Sequence, residues 1–188
     1  MANHMETYIN INNGDIKVAE KLKEIFTPKE GEYQVETVDL VKRIFGEDAP
    51  EEYDYDWYVD NIGTKWVYSE YDHSDDCESI HLILTSAWSV PQGLLERLAK
   101  VLSEIKSDCY ISGTYEDESY DPCGAFIYAG DYNDIEDWDA EFDWDKYEEE
   151  DGLNDDEWRD AYMSLESELV EVYLDYVRDK AENPEDYI

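Results

Sequence analysis

Apolar and polar positions alternate over residues 7–12 around Tyr8, Ile9 and Ile11, a two-residue period that predicts a first strand. After Gly14 the period lengthens: Asp15 is a fitting N-cap, and Val18, Leu22, Ile25 and Phe26 share one helix face. Val35, Val38, Val41, Ile44 and Phe45 keep helical spacing, which predicts an inserted helix ended by Pro50 and the polar run to Asp56. Residues 65–71 and 79–85 then read as two strands joined by the turn Asp72-His73-Ser74-Asp75-Asp76. Pro91 opens a helix with Leu94, Leu95, Leu98, Val101, Leu102 and Ile105 on a broad stripe, and residues 109–115 follow as a strand. The order β-α-(insert)-β-β-α-β predicts an α+β fold with a ferredoxin-like βαββαβ core.

The pattern changes after Pro122-Cys123-Gly124. Residues 125–129 read as one more strand. Residues 137–145 then alternate strictly, with Asp137, Asp139, Glu141, Asp143 and Asp145 on one face and Trp138, Ala140, Phe142 and Trp144 on the other. A long C-terminal helix starts in capping-box style at Asn154 and Glu157 and stops at Asn183-Pro184. Trp158, Tyr162, Leu165, Leu169, Val172 and Tyr176 form its apolar stripe. Packing on the same chain explains that stripe, and Met163, Val170, Leu174 and Val177 make it wider than a strict two-position dimer seam, so a homodimer stays open. Two units are expected: an α+β domain over 1–132 and an acidic extension over 133–188 packed on it.

Charge changes the picture most. The chain has 51 Asp and Glu against 14 Lys and Arg, a formal net charge of -37, yet 42% of its residues are hydrophobic, with 17 Tyr and 6 Trp. A disordered acidic tail lacks such an aromatic content, so the field is expected on a folded object. Residues 1–106 hold 22 acidic and 10 basic side chains and residues 107–188 hold 29 and 4, which places about two thirds of the net charge in the last 82 residues. Salt adaptation is the competing cause of acidity, but ten of the fourteen basic residues are Lys and bulky apolar residues are plentiful, against that reading. Such a surface is repelled by phosphate backbones and anionic lipid, so direct binding of nucleic acid or membrane is not expected, and a basic protein is the natural complement. No apolar run approaches the ~20 residues that span a bilayer, and the opening residues lack the pattern of a signal peptide, so a cytoplasmic protein is expected. Cys77, Cys109 and Cys123 are widely spaced and read as reduced structural thiols.

Catalytic chemistry finds little support. His4, His73 and His81 sit in no nucleophile or metal motif, and no glycine-rich phosphate loop occurs. The run Asp131-Tyr132-Asn133-Asp134-Ile135-Glu136 begins like a calcium loop. It has Ile at the fifth position, Glu where glycine is needed and Phe142 where the bidentate Glu belongs. The Asp72–Cys77 stretch reads as a solvated hairpin turn. No enzyme activity, cofactor or metal is expected.

Three motifs carry a family resemblance. Asn61-Ile62-Gly63-Thr64-Lys65-Trp66, Ser86-Ala87-Trp88-Ser89-Val90-Pro91 and Tyr115-Glu116 followed by Gly124 make residues 1–132 similar to the YubB-like family of ferredoxin-like domains found on plasmids and phages. The resemblance implies the βαββαβ fold and a gene that travels on mobile elements, and it brings no catalytic residue. By their chemistry Asn61 and Gly63 suit a tight turn, while Trp66 and Trp88 are large enough to anchor a sheet–helix interface.

Alternate acids on a strand lie about 6.6 Å apart, the order of the spacing of successive phosphates on a nucleic-acid strand. Carboxylates so arrayed can fill Lys and Arg sites built for phosphate. The expected function is therefore a DNA-mimic inhibitor from a phage or mobile element that blocks the DNA-binding site of a basic host defence protein, a CRISPR effector or restriction enzyme. Asp134, Glu136, Asp137, Asp139, Glu141, Asp143, Asp145, Glu148, Glu149, Glu150 and Asp151 are the main phosphate surrogates. Asp155, Asp156, Asp160, Glu168, Glu171 and Asp175 extend the surface along the helix. The alternative is an acidic interaction or assembly module that binds a basic protein without mimicking DNA, and a protective charged edge strand is the plainer use of the same acids.

Overall fold

The computed structural model describes residues 3–71, 80–119, 122–130, 132–137 and 155–183, with the backbone alone at 70, 71, 80 and 155–163. Six strands, β1 (His4–Asn12), β2 (Val67–Tyr71), β3 (Ile80–Ala87), β4 (Tyr110–Asp117), β5 (Cys123–Ala129) and β6 (Tyr132–Asp137), form one sheet in the order β2-β3-β1-β4-β5-β6. Every neighbouring pair is antiparallel. Among the described residues five α-helices accompany the sheet: α1 (Ile16–Phe26), α2 (Thr37–Phe45), α3 (Tyr55–Ile62), α4 (Gln92–Ile105) and α5 (Asp155–Glu182). The chain has a mixed α+β fold.

The period of β1 decides which face meets the helices. Met5, Thr7, Ile9 and Ile11 are buried on one side, where α1, α2, α3 and α4 bring Val18, Leu22, Leu40, Tyr58, Ile62, Leu94 and Leu98 into one core. Burying each such side chain contributes roughly 1.5–3 kcal/mol. Asp15 caps α1 through Oδ1, which accepts from the Lys17 and Val18 amides at 2.9 and 3.1 Å. Asp15→Ala is expected to lower stability by about 1 kcal/mol, seen as a lower urea midpoint with an unchanged slope.

The opposite face carries α5. Leu169 and Tyr173 pack with Tyr110, Ala125 and Ile127 in a second cluster, joined by Leu165, Val170 and Tyr176. The Tyr173 ring lies 5.1 Å from Tyr110 and 5.2 Å from Tyr132, and Tyr176 lies 4.8 Å from Tyr132. A polar clasp adds direction: Glu166 Oε1 accepts from Asn10 Nδ2 at 2.9 Å and from Ser112 Oγ at 2.6 Å. With helices on both sides, β4 is buried along its whole length, which is why its sequence does not alternate.

Several elements differ from the sequence expectation. α3 was not anticipated: Asp54 Oδ1 caps it at the Trp57 amide (3.1 Å), Gly63 ends it at φ 92°, and only Tyr58 and Ile62 are buried. Two fully buried positions in eight residues, with Trp57 partly buried beside them, give too short a period to register. β6 starts at Tyr132, inside a run rich in Asn and Asp, because pairing with β5 outweighs its weak strand propensity. A boundary drawn at 132 thus falls on the first residue of that strand. On α5 the buried position is Tyr173, and Val172 is 55% exposed, because a 4-3-4 repeat drifts around a helix of 3.6 residues per turn. Trp88 anchors no sheet–helix interface; it is 49% exposed. The strand expected to run on through 138–145 lies outside the described residues.

Candidate partner-binding surface

The register of β6 sorts its acids. Asp134 pairs with Ile127 and Glu136 with Ala125, so both share the α5 side with Tyr132, whereas Asp137 shares the opposite side with Ile135, which packs against the main core. Glu136 is exposed and Asp134 half-buried. Burial pushes the Tyr132 hydroxyl above its ordinary value, and the Asp134 charge adds to the shift. Asp137 is not a free carboxylate, because its Oδ1 accepts a hydrogen bond from the Tyr115 hydroxyl.

On α5, Glu168, Glu171 and Asp175 are exposed and fall by helical spacing on the side away from Leu169 and Tyr173. Asp175 holds Arg178 Nη1 at 2.7 Å. Asp155, Asp156 and Asp160 lie on the first two turns of the same helix, where the backbone alone is described. Asp139, Glu141, Asp143, Asp145, Glu148, Glu149, Glu150 and Asp151 lie outside the described residues. The structure therefore brings together two short sets of surrogates, Asp134 with Glu136 on β6 and Glu168, Glu171 and Asp175 on α5, and it turns Asp137 away from the first.

A third acidic group was not anticipated. Glu6 on β1 and Glu116 on β4 are register partners, and with His4, Asp117 and Glu118 they line a cleft of about 270 Å³ at one end of the sheet. Like charges directly opposed destabilise a sheet. Here the Tyr8 hydroxyl lies between them, 2.5 Å from Glu6 Oε2 and 3.0 Å from Glu116 Oε1. Burial first, and then its bonds and proximity to the two carboxylates, push the Tyr8 pKa far up, which keeps the hydroxyl a donor. Asp117 is 3% exposed and accepts from the Ser119 amide at 2.9 Å and from its hydroxyl. β6 ends at the same end of the sheet, since Gly124 pairs with Asp137 and its neighbour Cys123 with Glu116. Glu136 and Glu116 share a sheet face two strands apart, roughly 10 Å laterally. The run Glu116-Asp117-Glu118 was visible in the sequence. Its pairing with Glu6 was not, because nothing local specifies which strand β4 joins or in which register.

The sheet itself carries no cation, whereas α5 carries Arg178 and Lys180 beside its acids. None of the six strands contains a Lys or Arg. The basic side chains before Ser107 belong mostly to α1, α2 and α4, where Lys21 meets Glu24 at 3.1 Å, Arg97 meets Asp48 at 3.1 Å and Lys100 meets Glu96 at 2.8 Å.

No protein family, curated protein or solved structure matches the chain.

The described surface offers carboxylates held by neighbouring side chains. Among the described residues no group of three or more His, Cys, Asp or Glu side chains is arranged to hold a metal ion. Burial pushes the Cys109 thiol up to about 11, which leaves it without the thiolate a nucleophile needs. No helix among the described residues is long and apolar enough to cross a membrane.

Proposed function

We propose that this protein is a DNA-mimic inhibitor, carried by a phage or mobile element, that acts in the cytoplasm of a host cell by occupying the DNA-binding site of a basic defence protein, a nuclease or CRISPR complex. The observation that carries this reading is the segregation of charge: strands without a single Lys or Arg, and carboxylates on β6 and α5 held by a packed sheet and its tyrosines. Carboxylates presented on rigid elements meet a basic groove without the ordering cost that a disordered acidic tail bears on binding. The activity is binding and exclusion, with no reaction catalysed.

The fold part of the proposal is a ferredoxin-like core. The order β2-β3-β1-β4, with α1 following β1 and α4 following β3, supports it; α2 and α3 are insertions, and β5, β6 and the long helix α5 are additions at the β4 edge. Kinship with the YubB-like family belongs to the same proposal; of the motifs that resemble it, Ser86–Pro91 begins on β3 and Tyr115-Glu116 lies on β4, while Asn61-Ile62 end the inserted α3 and Gly124 lies on the added β5.

The test is displacement. Partner captured on the immobilised protein from a lysate is challenged with a short DNA duplex at constant ionic strength. Release by duplex, with mutually exclusive binding of purified partner to protein or DNA, is the expected result. A partner that holds both at once overturns mimicry and leaves an acidic assembly module.

A further inference from the structure

We infer that Trp88 is a docking point for an arginine side chain of a protein partner. The inference goes beyond the proposed function and stands or falls separately from DNA mimicry.

The backbone at Trp88 is the starting observation. Its φ is 68°, in the left-handed region that favours glycine and is costly for a bulky side chain. Such a conformation persists only where the surroundings over-determine it, and here they do. The Trp88 amide donates to the Asn3 carbonyl at 3.0 Å, and the Ala87 amide reaches both the Trp66 carbonyl at 3.3 Å and Thr64 Oγ1 at 3.1 Å. The Thr64 hydroxyl donates back to the Ala87 carbonyl at 2.6 Å, the Ser86 hydroxyl to the Ser89 carbonyl at 2.8 Å, and the Ser89 hydroxyl to the Gly63 carbonyl at 2.6 Å. The Gly63-Thr64-Lys65-Trp66 and Ala87-Trp88-Ser89 pieces thus form one knot with the indole at its apex.

Packing does not account for this strain by itself, because Trp88 is half exposed. What it achieves is presentation of a large aromatic ring on a backbone that cannot swing, the pre-organised form of a binding anchor. The ring already accepts a cation: Lys65 Nζ lies 3.9 Å from its centroid. Lys65 is the only Lys or Arg between Arg43 and Arg97.

Charge complementarity names the occupant. The Trp88 amide is tied to Asn3, and the next residue, His4, lies on the rim of the acidic cleft that Glu6, Glu116, Asp117 and Glu118 complete. On a chain of net charge -37 this neighbourhood attracts cations and repels nucleic acid. Among cations a guanidinium is the better guest, since it is planar, weakly hydrated and stacks on an indole face, whereas an ammonium keeps its water.

The probe is a nine-residue oligoarginine peptide added to the full chain at about 0.5 M salt, where attraction between exposed charges is largely screened. Two readouts are taken: the Trp88 indole N–H resonance, identified by its loss in Trp88→Phe, and the peptide affinity by calorimetry. The resonance is expected to move on titration. Trp88→Gly, which removes the ring and suits the left-handed backbone, is expected to weaken binding about tenfold, with Trp88→Phe in between and the thermal midpoint of the glycine variant equal to or above that of the original chain. A purely structural tryptophan gives the opposite pattern, a lower midpoint with unchanged affinity. An unmoved indole resonance, or equal affinity in a folded Trp88→Gly variant, overturns the inference. Should the glycine variant fail to fold, the resonance in the original chain decides alone.

Discussion

Reversing Asp134, Glu136, Glu168, Glu171 and Asp175 to lysine together is expected to cut affinity for the basic partner by on the order of 10³-fold and to leave the far-UV circular dichroism unchanged. The estimate takes about 0.8 kcal/mol per site, within the range for exposed ion pairs, and tenfold in affinity per ~1.4 kcal/mol. None of the five side chains is buried, and none belongs to either hydrophobic cluster, so the fold loses no packing. Removing like charges also relieves self-repulsion, so the variant is expected to melt no lower than the original. Asp137 is left in place because its bond from Tyr115 ties it to the core. Most of the lost affinity at low salt should appear in the association rate, and the residual salt dependence should flatten. The control reverses Glu20 and Glu24, exposed on α1 in the basic helical layer, and is expected to change affinity little. Unchanged affinity in a folded five-site variant removes these acids from the binding surface.

Gly113→Ala is expected to destabilise the protein by about 4 kcal/mol or more, a large share of the ~5–15 kcal/mol that holds a domain folded. A β-carbon at this position would sit 1.9 Å from the Tyr8 carbonyl oxygen and 2.8 Å from Phe126 Cζ. The Phe126 ring can rotate aside. The Tyr8 carbonyl cannot, because β1 is an interior strand held on both sides, with Ile9 facing Leu82 of β3 and Gly113 of β4. The clash therefore has to be relieved by separating β1 from β4, which breaks the centre of the sheet. Urea unfolding followed by circular dichroism measures the loss, and a midpoint close to that of the original chain would disprove the β1–β4 register.

Much of the first half of the chain was legible because each element there buries one face. The two-residue period of β1, which begins at His4 where residues 7–12 were expected, and the three-to-four-residue spacing in α1 and α4 are read directly from Ile9, Ile11, Val18, Leu22, Leu94 and Leu98. Legibility failed where burial and period part company. β6 owes its strand to pairing, and α3 fully buries only Tyr58 and Ile62, whereas β4 was readable as a strand over 109–115 although both its faces are covered. The candidate surface divides in the same way. Acids on α5 were assigned by helical spacing, but the sides taken by Asp134, Glu136 and Asp137 depended on register.

The amino-acid sequence by itself determined that this chain is folded, strongly anionic and unevenly charged, because composition and charge order are properties of the chain and need no partner strands. Only the tertiary structure decided that Glu6 meets Glu116 through Tyr8, that the strands form a sheet free of Lys and Arg with most of the described basic residues on the helices beside it, and that Trp88 is half exposed. Those outcomes follow from contacts between residues 23 to 108 positions apart, whose register is set by the packing of the whole sheet and by no local preference.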